Sequence, residues 1–209
     1  MKILNLYAGI GGNRKLWGEE HEITAVEINP KIAKIYQDFF PKDKIIVGDA
    51  HKYLLKHFRE FDFIWSSPPC PTHSLLRNSH PEKIVYPDMK LYEEIILLQK
   101  WAKCLWIIEN VKSYYNPLIA PIQLQRHYFW SNFNITGKEI DKIYSRDVSR
   151  DTTIELNKNI GFDISNYHGV DKRKLLRNCV NPELGLHILN CVVGKQEQTT
   201  LNLNKESQE

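Results

Sequence analysis

The chain has 209 residues, a length that fits one domain or one domain with a small appendage. Hydrophobic residues make up 42% and charged residues 25%, with five Trp and ten Tyr, so a real core is available and wholesale disorder is excluded. The formal net charge of +3 permits nucleic-acid binding without arguing for it. No apolar run approaches the ~18 residues of a membrane-spanning helix, and the first residues lack a signal-peptide pattern; a cytoplasmic protein with four free thiols is expected.

Strand-like and helix-like patterns alternate from residue 2 to residue 110. Ile3–Tyr7 is a short apolar run that ends in Ala8-Gly9-Ile10-Gly11-Gly12. Ile23–Val26 is a second strand, ending at Glu27, and Pro30 opens a helix through Phe40. Ile45–Val47 is a third strand, ending at Gly48-Asp49, followed by a helical stretch from Lys52 to Phe58. Phe61–Trp65 is a fourth, running into Ser66-Ser67-Pro68-Pro69-Cys70. Pro71–Pro87 reads as a long loop, a length usually reserved for lids or disorder. A helix is expected over Asp88–Lys103 and a fifth strand over Leu105–Ile108, ending at Glu109-Asn110. This alternation predicts an α/β fold with a mostly parallel sheet. Beyond it, Tyr128–Ile135 reads as a hairpin strand, 136–170 as polar with few apolar anchors, Pro182–Val193 as a helix, and Lys195–Glu209 as a polar, frayed tail.

In open α/β sheets, ligands bind at the carboxyl ends of the strands. The unusual residues of this chain fall there. The glycines at 9, 11 and 12 allow a tight turn and close approach to a ligand, although the spacing is not the dinucleotide fingerprint. Glu27 can hold ribose hydroxyls or be a solvated loop carboxylate. Asp49 can accept from an adenine amino group or cap the next helix. Together they suit an adenosine-containing cofactor with no phosphate requirement. Pro68 and Pro69 stiffen the turn that presents the Cys70 thiol, either a nucleophile or an inert buried Cys. Glu109, one strand over, can act as an acid on a ring nitrogen if burial raises its pKa, or simply cap a turn.

These blocks, in this order, resemble the DNA (cytosine-5-)-methyltransferase family. The resemblance rests on Leu6–Gly12, Glu27, Gly48-Asp49, Pro68-Pro69-Cys70 and Glu109-Asn110-Val111, then Gln125–Phe129 and Arg177–Pro182. It implies a Rossmann-like methyltransferase fold with helices on both faces of the sheet and a short polar insertion. It implies S-adenosyl-L-methionine as cofactor, with S-adenosyl-L-homocysteine as product. Cys70 would add to C6 of a flipped-out cytosine, Glu109 would bind or protonate N3, and Arg126 would hold the cytosine or the Glu109 region. Cofactor contacts would come from Tyr7, Ala8, Gly9, Ile10, Gly11, Gly12, Glu27, Ile28, Asp49, Ala50, Pro68, Asn178 and Val180.

Departures from the family pattern are specific. Pro71 stands where Gln is usual, in a stretch more like phage and prophage members than restriction-modification enzymes. Leu124 takes the place of the first of two arginines, and Arg177 replaces a Gly. The target-recognition region is very short, which predicts a short or degenerate site. Expected partitions are a catalytic and cofactor core over 1–133, a recognition segment over 134–170, the rest of the core over 171–194 and a tail over 195–209. Candidate contacts to double-stranded DNA are Ser74, Arg77, Arg146, Arg150, Lys172 and Arg173, with Thr72, His73, Asn78 and His80 on the lid. The tail loosely resembles a sliding-clamp docking peptide, a separate specificity partner is conceivable, and no metal site is expected. Rival readings are the same chemistry on RNA or a free nucleotide, and a silent DNA-binding module of the same fold.

Overall fold

A computed structural model describes residues 1–79, 85–136 and 152–206. It contains a seven-stranded sheet: β1 (Lys2–Leu6), β2 (Glu22–Glu27), β3 (Lys44–Val47), β4 (Phe63–Ser66), β5 (Leu105–Val111), β6 (Ile122–Leu124) and β7 (His127–Ser131). Their order across the sheet is β3-β2-β1-β4-β5-β7-β6. The first five pair in parallel, and β7 runs antiparallel to both β5 and β6. Strand order reverses between β1 and β4, which opens a crevice at their carboxyl ends. The fold is the expected Rossmann-like, mostly parallel α/β architecture.

The helices are α1 (Pro30–Phe39), α2 (Ala50–His57), α3 (Lys90–Trp101), α4 (Thr153–Ile160), α5 (Lys172–Asn178) and α6 (Pro182–Glu206). Alternation along the strands decides which face each side chain meets. Leu4, Leu6, Ile64, Trp106 and Ile108 pack with Leu54 of α2 and Ile95 and Leu98 of α3. Ile3, Ile23, Phe63, Trp65, Ile107 and Phe129 pack on the other face with Leu184, Ile188, Leu189 and Val192 of α6. Strands buried on both faces read as the continuous apolar runs seen in the sequence.

The stretch after residue 152 differs from its reading as a polar excursion. Thr152 and Glu155 form a reciprocal capping box, and Gly161 closes α4 at φ 73°. Leu156, Ile160, Phe162 and Ile164 are buried with Ile10, Ile35 of α1 and Leu176 of α5. The apolar anchors are spread among polar residues at helical spacing, which hides them from a count of composition. The helix expected to end at Val193 runs to Glu206, where the frayed tail was expected. Residues 195–206 hold no Gly or Pro, and Lys, Gln, Glu and Leu favour helix. Among the described residues, no helix is long and apolar enough to cross a membrane.

Candidate active site

The strand ends deliver the predicted residues to one rim of the sheet. Tyr7 leaves β1 at φ 55°, followed by Gly9 at φ 55° and Gly11 at φ 86°. Positive φ is inexpensive for glycine and costly for tyrosine, so something must hold Tyr7. Its hydroxyl donates to Glu94 Oε1 at 2.7 Å. Glu94 is fully buried on α3 and also meets Ser66 Oγ at 2.7 Å and His51 Nδ1 at 3.0 Å. Three polar partners from three elements satisfy one buried carboxylate beneath the crevice. Sequence reasoning missed Glu94 because it lies within a helix, where an acidic residue is ordinary.

Glu27 is drawn onto the glycine loop: Gly9 N–H donates to Oε2 at 3.0 Å and Asn29 N–H to Oε1 at 2.9 Å. Asp49 caps α2, accepting from Lys52 N–H at 3.1 Å, and that backbone bond holds its pKa below the ordinary value. A pocket of about 160 Å³ lies between these groups. Of the expected cofactor residues, Tyr7, Glu27, Ile28, Asp49, Ala50 and Pro68 line it. Pro69, His51, His73, Asp88, Lys90 and Leu91 line it too and were not anticipated as cofactor contacts. Ala8, Gly9, Ile10, Gly11 and Gly12 form the loop behind it rather than its wall. A Cβ on Gly12 would stand 2.7 Å from Cys179 Cβ and 2.8 Å from the Val180 carbonyl oxygen, so the loop packs against the last motif. Val180 is buried there, while Asn178 is exposed at the end of α5.

Cys70 follows the Pro68-Pro69 turn at the end of β4 and is partly exposed. Burial, then the charge of Glu109, push its thiol above the ordinary value; Arg126 and Lys174 pull the other way. Burial pushes two further thiols up as well, Cys104 to about 11 and Cys179 to about 12. Glu109 is buried on β5. Burial raises its pKa, but His127, Ser67 and Arg126 outweigh burial and hold the carboxyl below the ordinary value. The condition for an acid at rest, a carboxyl raised by burial, is therefore not met, because polar partners converge on this carboxylate. His127 Nδ1 meets Glu109 Oε1. Arg126 does not simply hold Glu109: its Nη2 donates to the Arg177 carbonyl at 2.8 Å and its Nε to His127 Nε2 at 3.2 Å.

The segment read as a loop or lid begins as ordered structure. Backbone N–H groups of His73 and Ser74 donate to the Cys70 carbonyl, Ser74 bridges to Ser113, and Leu75–Ser79 form a 3-10 turn. Arg77 Nε donates to the Pro71 carbonyl at 2.7 Å, and Thr72 Oγ1 accepts from Asp88 N–H at 3.0 Å. His73 is no phosphate contact: it is buried, with Nδ1 2.7 Å from Tyr115 Oη. Lys172 and Arg173 sit on α5. His80, Arg146 and Arg150 lie outside the described residues. Among the described residues no group of three or more His, Cys, Asp or Glu could hold a metal ion.

The chain matches the family model for C-5 cytosine-specific DNA methylase over residues 1–118. It is similar to the tRNA (cytosine(38)-C(5))-methyltransferase of Mus musculus, 26% identical over 122 residues, covering 54% of this chain and 29% of that one. Among solved structures it is similar to a DNMT2 variant from Spodoptera frugiperda (28% identity, TM-score 0.39, 56% of this chain and 37% of that one). It also resembles the Entamoeba histolytica methyltransferase EhMeth (17% identity, TM-score 0.36, 53% of this chain and 38% of that one). The chain thus spans about a third of the length of these relatives. The matched segment covers more than half of the chain and runs through both Cys70 and Glu109, and the chain belongs to the C-5 cytosine-specific DNA methylase family.

Proposed function

We propose that the chain transfers a methyl group from S-adenosyl-L-methionine to C5 of a flipped-out cytosine in duplex DNA, through a covalent bond between Cys70 and C6. The observation that supports this reading is a thiol and a carboxylate at the ends of neighbouring parallel strands, near enough that the Glu109 charge raises the thiol's pKa, beside a pocket walled by the turn that carries the thiol.

The pocket residues fit the cofactor. Tyr7, Ile28, Ala50 and Leu91 offer apolar and aromatic walls for a purine, and Glu27 offers a fixed carboxylate for ribose hydroxyls. His73 lines the pocket with its buried Nε2 unpartnered among the described residues. S-Adenosyl-L-methionine, when bound there, supplies an electrophilic methyl group on sulfur. Cys70 Sγ attacks C6 as the thiolate, and its electron pair moves into the ring and makes C5 nucleophilic. N3 becomes more basic in that step. Glu109, ionised at rest, accepts from the cytosine amino group and stabilises a proton taken up at N3. Methyl transfer to C5 would leave S-adenosyl-L-homocysteine; loss of the C5 proton to water then expels Cys70 as the thiolate, the proton at N3 is released, and the ring is restored. Extracting the base from a duplex costs a few kcal/mol, and Ser74, Arg77, Lys172 and Arg173 are the described candidates to recover it on the backbone.

The same chemistry on RNA is the second reading, and the name of the mouse relative favours it. Labelled S-adenosyl-L-methionine, offered with unmethylated duplex DNA, tRNA and free cytidine nucleotides, separates them. Cys70-dependent 5-methylcytosine in one short DNA context is the expected result. Faster transfer to tRNA or nucleotide would overturn the DNA assignment. Tight DNA binding with no transfer to any acceptor would mean a silent module.

A further inference from the structure

The strand pairing places Glu109 opposite Phe129, so His127, two residues earlier on β7, shares the face of Glu109 and reaches it diagonally. An alternating aromatic strand leads one to expect another apolar side chain at that point. Instead a buried imidazole stands between a guanidinium and a carboxylate. Arg126 Nε is always a donor, and it points at His127 Nε2 over 3.2 Å. Nε2 must then accept, which leaves the ring proton on Nδ1, where it is donated to Glu109 Oε1. A second line of donors arrives from β4: Trp65 Nε1 donates to Ser67 Oγ at 2.9 Å, which frees the Ser67 hydroxyl hydrogen for Glu109.

We propose that His127 is a positioning residue for Glu109, locked by Arg126 in the Nδ1–H tautomer and fixing one carboxylate oxygen so that the carboxylate meets the acceptor base in one orientation. The proposal rests on the cytosine reading above. The charged and titratable groups around the pair are Arg126 in the turn before β7, Cys70 after β4 and Lys174 on α5, with Ser67 as the neutral partner. Without the His127 donor, one of the groups that offset burial is lost and Glu109 binds its proton more tightly.

Two measurements test this. Nitrogen NMR of the imidazoles, with His127 identified by its loss in His127→Asn, is expected to show a neutral ring protonated on Nδ1; protonation on Nε2 would overturn the proposal whatever the chain methylates. The pH profile of methyl transfer is then compared among wild type, His127→Asn and His127→Leu. Asn presents its amide near the position of Nδ1 and should keep the Glu109 limb, defined as the one missing in Glu109→Gln. Leu should move that limb to higher pH and lower kcat at least tenfold with cofactor binding intact. A folded His127→Leu protein whose limb stays in place would reduce His127 to packing and sink the proposal. Absence of transfer to both DNA and RNA in wild type would instead sink the cytosine reading, and the tautomer result would stand by itself.

Discussion

The Glu109 carboxylate acts on the Cys70 thiol through charge before any substrate arrives. Burial and the Glu109 carboxylate both favour the protonated thiol. Neutralising Glu109 removes one of these, so Glu109→Gln is expected to lower the Cys70 pKa and speed alkylation at pH 7–8, while methyl transfer falls. Iodoacetamide kinetics, with Cys70→Ala subtracting the other thiols, measure this; an unchanged or slower alkylation would contradict the charge coupling. Cys70→Ala itself is expected to abolish transfer and leave S-adenosyl-L-methionine binding near normal, as read by calorimetry. Substantial residual turnover would exclude the covalent route. At this scale Cys70 and Glu109 were legible because chemistry-bearing residues at strand ends break the apolar pattern around them. His127 and Glu94 were not. One sits inside an aromatic strand and the other inside a helix, and only the pairing register and the fold bring their partners to them.

Loops and helices are fastened by buried polar groups. Arg14 on the segment after the glycine loop makes a two-pronged pair with Asp43, Nε to Oδ2 at 2.9 Å and Nη2 to Oδ1 at 3.0 Å, and Tyr36 Oη donates to the same carboxylate at 2.7 Å. Breaking a buried pair strands a charge, at about 3–5 kcal/mol. Asp43→Ala should therefore unfold at markedly lower denaturant, and a loss below about 1 kcal/mol would mean that Arg14 finds water or another partner. A second fastening is pH-dependent. His51 is held by Glu94, and its pKa is raised mainly by that hydrogen bond. A raised histidine stabilises the fold fully below its unfolded value of about 6.5 and loses that contribution as pH rises through the folded value. The melting temperature should fall across that interval, and His51→Gln should flatten the fall; an identical slope in the variant would remove His51 as its source. The packing of α4 was the least legible part, because Leu156, Ile160, Phe162 and Ile164 gain their meaning from α1, more than a hundred residues away.

For the whole molecule, the site is closed by distant parts of one chain. The glycine loop meets Cys179 and Val180, and Trp17 Nε1 donates to the Gly185 carbonyl at 3.1 Å. A Cβ on Gly185 would lie 2.3 Å from the Asn13 carbonyl oxygen, so Gly185→Ala should push α6 off the loop, lower the melting temperature and weaken cofactor binding together. A variant with wild-type cofactor affinity would separate the two. The parallel architecture was readable from the alternation of residues 2–110, because a doubly covered sheet imposes continuous apolar strands. The contact between residues 9–17 and 179–185 leaves no local trace in either segment except glycine.

That contact also orders events in time. During synthesis β1, the central strand of the parallel core, emerges before the other strands of the sheet, yet the loop at its end waits for Cys179 to Gly185 before it can close. The nascent chain carries Cys70 and Glu109 long before it carries the helix that covers their sheet. A growing polypeptide beside messenger and transfer RNA thus holds an incomplete site until residues 179–185 have emerged.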